Sequence, residues 1–159
     1  MNISNPSISA LPLWQQAYQS GQQFCYANNL AGSSGTLAVF ELYNPSNSGI
    51  TAYVYSYEAT STVIISVTAL LDATDALGLS SHGQNLTNPT KASICTAGFE
   101  NNNISVISPL ILAESHIAVN TPYQKTEQYI PVSPGYGFYL YGNPTTGNTF
   151  YFNVLWYES

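Results

Sequence analysis

The side chains best suited to binding a transition metal are two cysteines and two histidines. They are Cys25, Cys95, His82 and His116. A protein zinc site needs three or four converging ligands, and known zinc motifs place these ligands at short, regular spacings. The four residues match no such spacing, so we predict no metal site and no cofactor. We interpret the histidines as loop residues and the cysteines as half-buried free thiols, since unpaired cysteines are commonly buried.

Oxygen-rich side chains between residues 72 and 88 suggest a possible calcium site. Asp72 and Asp75 come first, and Asn85 and Asn88 follow. A dedicated calcium loop alternates Asp, Asn and Gly at fixed positions, which this segment does not do. We therefore expect turns in which these side chains accept hydrogen bonds from the nearby backbone.

Hydrolytic chemistry would require a carboxylate pair or an activated nucleophile. The two carboxylates of a glycosidase face each other across about 5–9.5 Å, and the candidates here are Glu41, Glu58, Glu114 and Glu127. The chain contains neither a Gly-x-Ser-x-Gly nucleophile elbow nor a Gly-x-x-x-x-Gly-Lys phosphate loop. We predict that the protein is not an enzyme and has no catalytic residues.

Aromatic residues are the strongest candidates for binding. They make up 13% of the chain, and tyrosine alone occurs 13 times. Protein interfaces are enriched in Tyr and Trp and depleted in charge, and sugar sites use the same rings for stacking. Because the rings follow whole strands, we favour a protein interface over a sugar site. The predicted interface residues are Trp14, Tyr18, Tyr53, Tyr55, Tyr57, Tyr151 and Tyr157.

The charge content is low for a soluble domain. Charged residues make up 6% of the 159 residues, whereas ordinary domains contain about 25%. The formal net charge is −6, and Lys91 and Lys125 are the only basic residues. This is too little positive charge to neutralise nucleic-acid phosphates or to bind an anionic membrane surface. A neutral surface of amides, hydroxyls and phenols instead suits packing against copies of the same chain.

The sequence shows no sign of targeting to a membrane or to secretion. No apolar run reaches the roughly 20 residues of a membrane-spanning helix. The first residues, MNISNPSISALPLW, lack the basic and apolar regions of a signal peptide. We therefore expect synthesis in a cytoplasm, where a disulfide between the two cysteines is disfavoured.

The order of strand-prone and turn-prone segments predicts an all-β domain. Eight runs have strand character: residues 36–43, 50–58, 63–71, 92–96, 104–113, 127–132, 137–141 and 149–158. Short strands separated by loops rich in Asn, Pro, Ser and Gly are typical of antiparallel sandwiches. About eight of them match a jelly roll or a related Greek-key fold. Pro109 predicts an edge strand or a divided one, because proline cannot donate to a strand ladder.

Two loops resemble each other and predict two hairpins. Leu-Tyr-Asn-Pro at residues 42–45 is echoed by Leu-Tyr-Gly-Asn-Pro at residues 140–144. Each is followed by small residues and by a tyrosine-rich strand. Loops of this kind between two strand-prone runs are typical of hairpins.

Strand periodicity assigns side chains to faces, because alternate residues of a strand lie on the same face of a sheet. Tyr53, Tyr55 and Tyr57 should therefore form a continuous tyrosine stripe. In the last strand the side chains predicted to face the core are Phe150, Phe152, Val154 and Trp156.

Residues 1–34 differ in composition from the rest of the chain. They are rich in Ser and Gln and end at the flexible sequence Gly-Ser-Ser-Gly of residues 32–35. We interpret them as an extended arm with a short helix or strand, joined to a β-sandwich domain of residues 35–159. The aromatic residues Trp14, Tyr18 and Phe24 would anchor the arm on a neighbouring subunit or an underlying shell. A chain beginning near Gly35 would then fold with nearly unchanged stability.

Two segments resemble small structural proteins of tailed bacteriophages. Residues 38–55, which contain ELYNPSNSGITAYVY, resemble the first hairpin of those proteins. Residues 132–158, with a Pro-Gly-Tyr-Gly turn and a closing FNVLWYE strand, resemble their ending. The resemblance implies a virion component with a β-sandwich fold, on the head or on the tail. It implies no active-site residues.

Together these observations favour a non-enzymatic virion structural protein that is made in the host bacterial cytoplasm. We predict a capsid decoration (cement) protein that binds the head shell as a homo-oligomer, with a trimer as the expected stoichiometry. Its partners would be copies of itself and the major capsid or tail proteins. The alternatives are a receptor-binding or adhesin module of a phage tail or fibre, and a small glycan-binding lectin.

Overall fold

The computed structural model describes residues 11–33, 35–104, 107 and 109–159. Within them the chain forms one short helix and eleven strands. The helix is α1 (Leu13–Gln19), and the strands are β1 (Gln23–Ala31), β2 (Leu37–Asn44), β3 (Ala52–Ser61), β4 (Ile65–Asp72), β5 (His82–Asn85), β6 (Ala92–Asn102), β7 (Leu110–Ile117), β8 (Tyr123–Lys125), β9 (Ile130–Val132), β10 (Tyr136–Gly142) and β11 (Thr149–Glu158). Every strand pair is antiparallel, so the predicted all-β antiparallel fold is confirmed. In the described part of the chain, no helix is long and apolar enough to span a membrane.

The strands form one nearly closed, barrel-like sheet. Its order is β7-β4-β10-β2-β6-β5-β1-β11-β3-β8, and β9 also pairs with β3. β7 is therefore an edge strand, as Pro109 predicted. Residues 133–135 carry the chain from β9, at one end of this order, to β10, the third strand from the other end.

The prediction of two hairpins is wrong, because the two strands that flank each loop do not pair with each other. β2 pairs with β10 and β6, whereas β3 pairs with β11, β8 and β9. β10 pairs with β2 and β4, whereas β11 pairs with β1 and β3. Each of the two similar loops therefore carries the chain across the barrel. Consecutive strands are spatial neighbours in only about two-thirds of cases, and a loop's composition does not identify the exceptions.

Eight of the strands form two four-stranded halves of the sheet, β7-β4-β10-β2 and β1-β11-β3-β8. Along the chain, β1 to β4 alternate between the halves, which is compatible with the predicted jelly-roll connectivity. The β5–β6 hairpin joins the halves on one side, because β6 pairs with β2 and β5 pairs with β1. The sheet is thus continuous instead of forming two separate layers. Gly83 allows β5 to lie against Trp156, since a Cβ at residue 83 would come within 2.0 Å of the indole ring.

The core occupies the interior of the barrel. The predicted core face of β11 is confirmed, because Phe150, Phe152, Val154 and Trp156 are all buried. Phe40 of β2 packs on Phe152 with ring centroids 5.1 Å apart. Aromatic pairs at such separations stabilise a core beyond the burial of their area, so the rings help to hold the two halves of the barrel together.

Residues 23–31 belong to the domain, which corrects the predicted arm of residues 1–34. They form β1, which pairs with β11 along its whole length and with β5 on its other side. Phe24 is buried and stacks on Trp156, with ring centroids 6.0 Å apart. The strand escaped prediction because its later residues are polar and exposed, a pattern that also occurs in extended tails.

The predicted flexible joint at residues 32–35 contains a tightly packed position. Gly32 is buried, and a Cβ there would come within 2.6 Å of carbonyl oxygens in the loop at residues 144–145. Glycine is therefore needed at this position for a close approach of two backbones. Ser34 and residues 1–10 lie outside the described residues.

Candidate functional site

A β-bulge in β3 interrupts the predicted tyrosine stripe. The register of β3 on β11 shifts at Tyr55, which becomes the extra residue between Val54 and Ser56. One extra residue reverses the alternation of faces beyond it. Tyr57 therefore faces the core, where it is buried with its ring 5.4 Å from that of Phe138. The prediction of a continuous stripe is wrong, and Tyr57 is a core residue.

Four of the predicted interface residues meet in a cluster that the chain itself covers. Helix α1 packs against β1 and β11, and the Trp14 ring lies 5.9 Å from that of Tyr55. Tyr129 meets Tyr55 edge-on at 5.6 Å, and Tyr53 stacks on Tyr157 at 5.0 Å. We call these residues, Trp14, Tyr53, Tyr55, Tyr129 and Tyr157, the aromatic cluster. Its rings hold α1 on the barrel, so their contact area is largely used within the chain.

Two phenols of the aromatic cluster, those of Tyr55 and Tyr157, are held in their neutral form. The Tyr157 hydroxyl is buried and has no hydrogen-bond partner among the described residues. Burial raises the pKa of Tyr157, and the nearby Tyr53 and Tyr129 act in the same direction. Burial also raises the pKa of Tyr55, with a further contribution from Glu127. These phenols therefore stay protonated near neutral pH and are unsuited to act as bases.

The remaining two predicted interface residues are exposed and take part in none of the ring pairs among the described residues. Tyr18 is on α1, and Tyr151 is on β11. The structure thus brings together four of the seven predicted residues, buries one in the core and leaves two on the surface.

Glu41, a candidate for the hydrolytic carboxylate pair, is buried and accepts three hydrogen bonds. The backbone N–H groups of Ala76 and Leu77 donate to it at 3.0 and 2.8 Å, and the Tyr139 hydroxyl donates at 2.7 Å. Burial raises the pKa of Glu41, and the hydrogen bonds oppose that shift in part. The carboxylate therefore anchors the loop between β4 and β5 on the sheet, which is a structural role.

Glu158 plays a similar structural role, since it binds backbone N–H groups of β6. It is buried, and its carboxylate accepts the N–H groups of Ile94 and Cys95 at 2.9 and 3.1 Å and the indole N–H of Trp156 at 3.3 Å. Burial raises the pKa of the Cys95 thiol, and the Glu158 carboxylate adds to the shift. Both buried glutamates thus satisfy backbone N–H groups that have no strand partner.

Both histidines lie in strands, which corrects their prediction as loop residues. His82 begins β5, and its Nδ1 lies 3.2 Å from the Cys95 carbonyl oxygen. His116 of β7 has its Nε2 3.1 Å from the Ser66 hydroxyl. A hydroxyl next to a base can form an activated nucleophile, but this pair is exposed, and no described residue makes a hydrogen bond that orients the His116 ring further.

The described residues contain no group of three or more His, Cys, Asp and Glu side chains arranged to hold a metal ion. Both cysteines have free thiols, with Cys25 half-buried and Cys95 buried. The predicted turns are confirmed in the Asp- and Asn-rich segment. Asp75 accepts the Gly78 N–H at 2.8 Å, and Asn85 accepts the N–H groups of residues 87–88 at 2.9 and 2.7 Å.

Large apolar side chains are exposed where the sheet ends at β7. Leu110 and Ile111 are 61% and 55% exposed. A pocket of about 180 Å³ adjoins Leu110 and is lined by Leu71, Leu110, Pro131, Ser133 and Tyr136. We call Leu110, Ile111 and Tyr136 the apolar edge. Leu110 and Ile111 lie on opposite faces of the sheet, because they are consecutive strand residues opposite Leu71 and Leu70. The open edge is therefore apolar on both faces.

A groove of opposite character crosses the outer face of β1, β11 and β3, with a volume of about 480 Å³. We call it the polar groove; its lining residues are Ala27, Asn28, Asn29, Glu58, Thr60, Tyr151, Phe152 and Asn153. Of these, only Tyr151 was a predicted binding residue. The other lining residues are not predictable from the sequence, because its composition predicts an arm where β1 lies and does not reveal that β1 pairs with β11.

Comparison with known proteins provides no relative from which a site could be transferred. No family model matches the chain, and no match is found among curated proteins or solved structures. The resemblance to phage structural proteins therefore stays a prediction from the residues that carry it.

Proposed function

We propose that this chain is a non-enzymatic virion structural protein that decorates a phage head shell as a homo-oligomer. The observation that carries the proposal is the apolar edge, where Leu110, Ile111 and Tyr136 are exposed on a chain with 6% charged residues. Charged surface groups keep a free monomer soluble. A chain with few of them and with large exposed apolar side chains is suited to a contact that stays occupied.

Side-chain packing, and not the addition of a strand, would form this contact. An open edge strand can pair with another chain through its backbone. However, Pro109 immediately precedes β7, and the register of β7 on β4 shifts so that Leu112 is an extra residue. Both features interrupt a regular backbone ladder. The apolar edge therefore offers its side chains to a neighbouring copy or to the shell.

The proposal retains the predicted homo-oligomer but places its interface at the apolar edge instead of at the predicted aromatic residues. The aromatic cluster is covered by the protein's own helix, so Trp14 and Tyr55 serve folding first. The apolar edge lies instead around β7 and the pocket beside it. Burial of apolar surface is the dominant favourable term in most protein–protein association.

Sedimentation equilibrium tests the interface. We expect the wild-type protein to form a trimer, and we expect Ile111→Ser to dissociate it, because the substitution removes apolar area from the contact. Ile94→Ser is the matched control, since Ile94 is 47% exposed on β6, away from the apolar edge, and the trimer should persist. A wild-type monomer at micromolar concentration, or equal effects of the two substitutions, would contradict the proposed interface.

Quantitative mass spectrometry of purified virions tests the location. A decoration protein should be present in many copies per particle, and capsids that lack it should be less stable. Few copies per particle, together with binding to host cells, would favour the adhesin module of a tail or fibre. Absence from virions would refute both assignments.

A further inference from the structure

We propose that the polar groove is a binding site for a neutral oligosaccharide. The inference rests on the groove alone and is independent of the virion proposal. The strand register places the lining side chains in two adjacent rows across three strands. One row is Asn29, Tyr151 and Thr60, and the next is Ala27, Asn153 and Glu58.

The polar side chains of these rows are not used by the protein. Among the described residues, no group makes a hydrogen bond to the side chains of Asn29, Thr60 or Asn153, and none to the Glu58 carboxylate. Other amides of the chain are engaged internally; Asn85, for example, donates to the Gly21 carbonyl and accepts two backbone N–H groups. The groove therefore presents free donors and acceptors to a ligand.

The chemistry of this set matches vicinal hydroxyl groups. Each amide offers both a donor group and an acceptor oxygen, a threonine hydroxyl offers both from one atom, and a carboxylate only accepts. Sugar hydroxyls donate and accept in turn, so neighbouring hydroxyls can be bound by neighbouring groups of opposite kind. Directly opposed residues on paired strands have Cβ atoms about 4.5–5.5 Å apart, which keeps these groups within reach of one sugar chain.

Tyr151 supplies an apolar surface beside the polar groups. Its side chain is 45% exposed, and its ring takes part in none of the aromatic pairs among the described residues. A free aromatic face next to hydrogen-bonding groups is the combination that binds the apolar face of a sugar ring. Ala27, opposite Asn153, has a side chain too short to fill the space above the sheet, which leaves room for a ligand.

The charge of the groove selects a neutral ligand. Glu58 is the only ionisable carboxylate of the lining, and neither lysine of the chain belongs to it. A lone carboxylate repels phosphate, uronate and sialate groups, whereas it accepts hydrogen bonds from hydroxyls. The volume of about 480 Å³ lies within the roughly 300–1,000 Å³ that is typical of ligand sites.

A titration monitored by ¹⁵N NMR tests the proposal. The probes are maltohexaose, cellohexaose, xylohexaose, mannohexaose and chitohexaose. We expect at least one of them to produce saturable shifts of the side-chain amide signals of Asn29 and Asn153. Tyr151→Ala should weaken that binding roughly tenfold, because it removes the stacking surface, and Asn153→Ala should weaken it by a smaller factor.

Tyr18→Ala is the matched control, since Tyr18 is 48% exposed on α1 and lines neither the groove nor the pocket at the apolar edge. Its affinity should equal that of the wild type, and circular dichroism should show that all three variants are folded. Absence of saturable shifts with every probe at millimolar concentration would overturn the proposal. Equal losses in Tyr18→Ala and Tyr151→Ala, or equal binding of an oligogalacturonate, would also overturn it.

Discussion

At the scale of single residues, the protein uses its few acidic side chains inside the fold. Three of its eight acidic residues are buried: Glu41, Asp72 and Glu158. The two glutamates each accept two backbone N–H groups and one side-chain donor. Hydrogen bonds to an ionised acceptor are stronger than those between neutral groups, so each carboxylate fixes a segment that has no strand partner at that point.

Glu41→Gln should lower the free energy of unfolding by about 1–3 kcal/mol. The amide has one acceptor oxygen, so the N–H of Leu77, which donates to Glu41 at 2.8 Å, would face a second donor. Removal of the buried charge offsets part of the loss. Urea unfolding at neutral pH measures the effect, with the exposed Glu100→Gln as the control for charge alone. Equal stabilities of the two variants would show that the carboxylate does not anchor the loop.

At the scale of elements, sequence reasoning located strands better than it located their neighbours. The predicted and observed bounds of the last strand coincide at residues 149–158, because alternation and flanking turn residues are local signals. The partners of this strand, β1 and β3, lie far from it in sequence. The bulge at Tyr55 follows from that pairing, and so does the polar groove. Neither could be predicted without knowing the strand order.

Two truncations distinguish the arm that the sequence suggested from the strand that the structure contains. A chain beginning at Gln22 loses α1 and uncovers the aromatic cluster, so we expect it to fold with a stability lower by about 2–4 kcal/mol. A chain beginning at Gly35 loses β1 as well. Phe24 then leaves the core, and β5 and β11 lose the strand between them.

We expect the shorter chain to show no cooperative unfolding transition in circular dichroism. The chain from Gln22 is the control, because it should retain its strand signal. Cooperative unfolding of the chain from Gly35 at nearly wild-type stability would restore the interpretation of residues 1–34 as an arm.

At the scale of the whole molecule, burial of tyrosines makes the free energy of unfolding decrease at alkaline pH. Burial raises the pKa values of Tyr55, Tyr57, Tyr139 and Tyr157. Unfolded tyrosines ionise near pH 10, so above that pH the unfolded chain binds fewer protons than the folded one. The free energy of unfolding must then fall as the pH rises.

We expect stability to be nearly constant from pH 7 to 9 with respect to these tyrosines and to fall above about pH 10. The slope is up to roughly 1.4 kcal/mol per pH unit for each of the buried Tyr57, Tyr139 and Tyr157, and smaller for the partly exposed Tyr55. Urea unfolding between pH 8 and 11 measures this slope. Tyr157→Phe should make it shallower and should leave stability at pH 8 unchanged or higher, because the Tyr157 hydroxyl is buried without a partner. An unchanged slope would show that Tyr157 ionises equally in both states.

The position of β11 between β1 and β3 has a consequence for biosynthesis. Residues 149–158 leave the ribosome after every other strand, yet they are the strand that joins β1 to β3. Until they are translated, the inward faces of β1 and β3, with Phe24 and Val54, have no strand between them to close the barrel. Sheets whose strands pair across long sequence separations form slowly, and exposed apolar faces and open strand edges favour aggregation. We therefore expect the nascent chain to be most prone to aggregation before its final strand is in place.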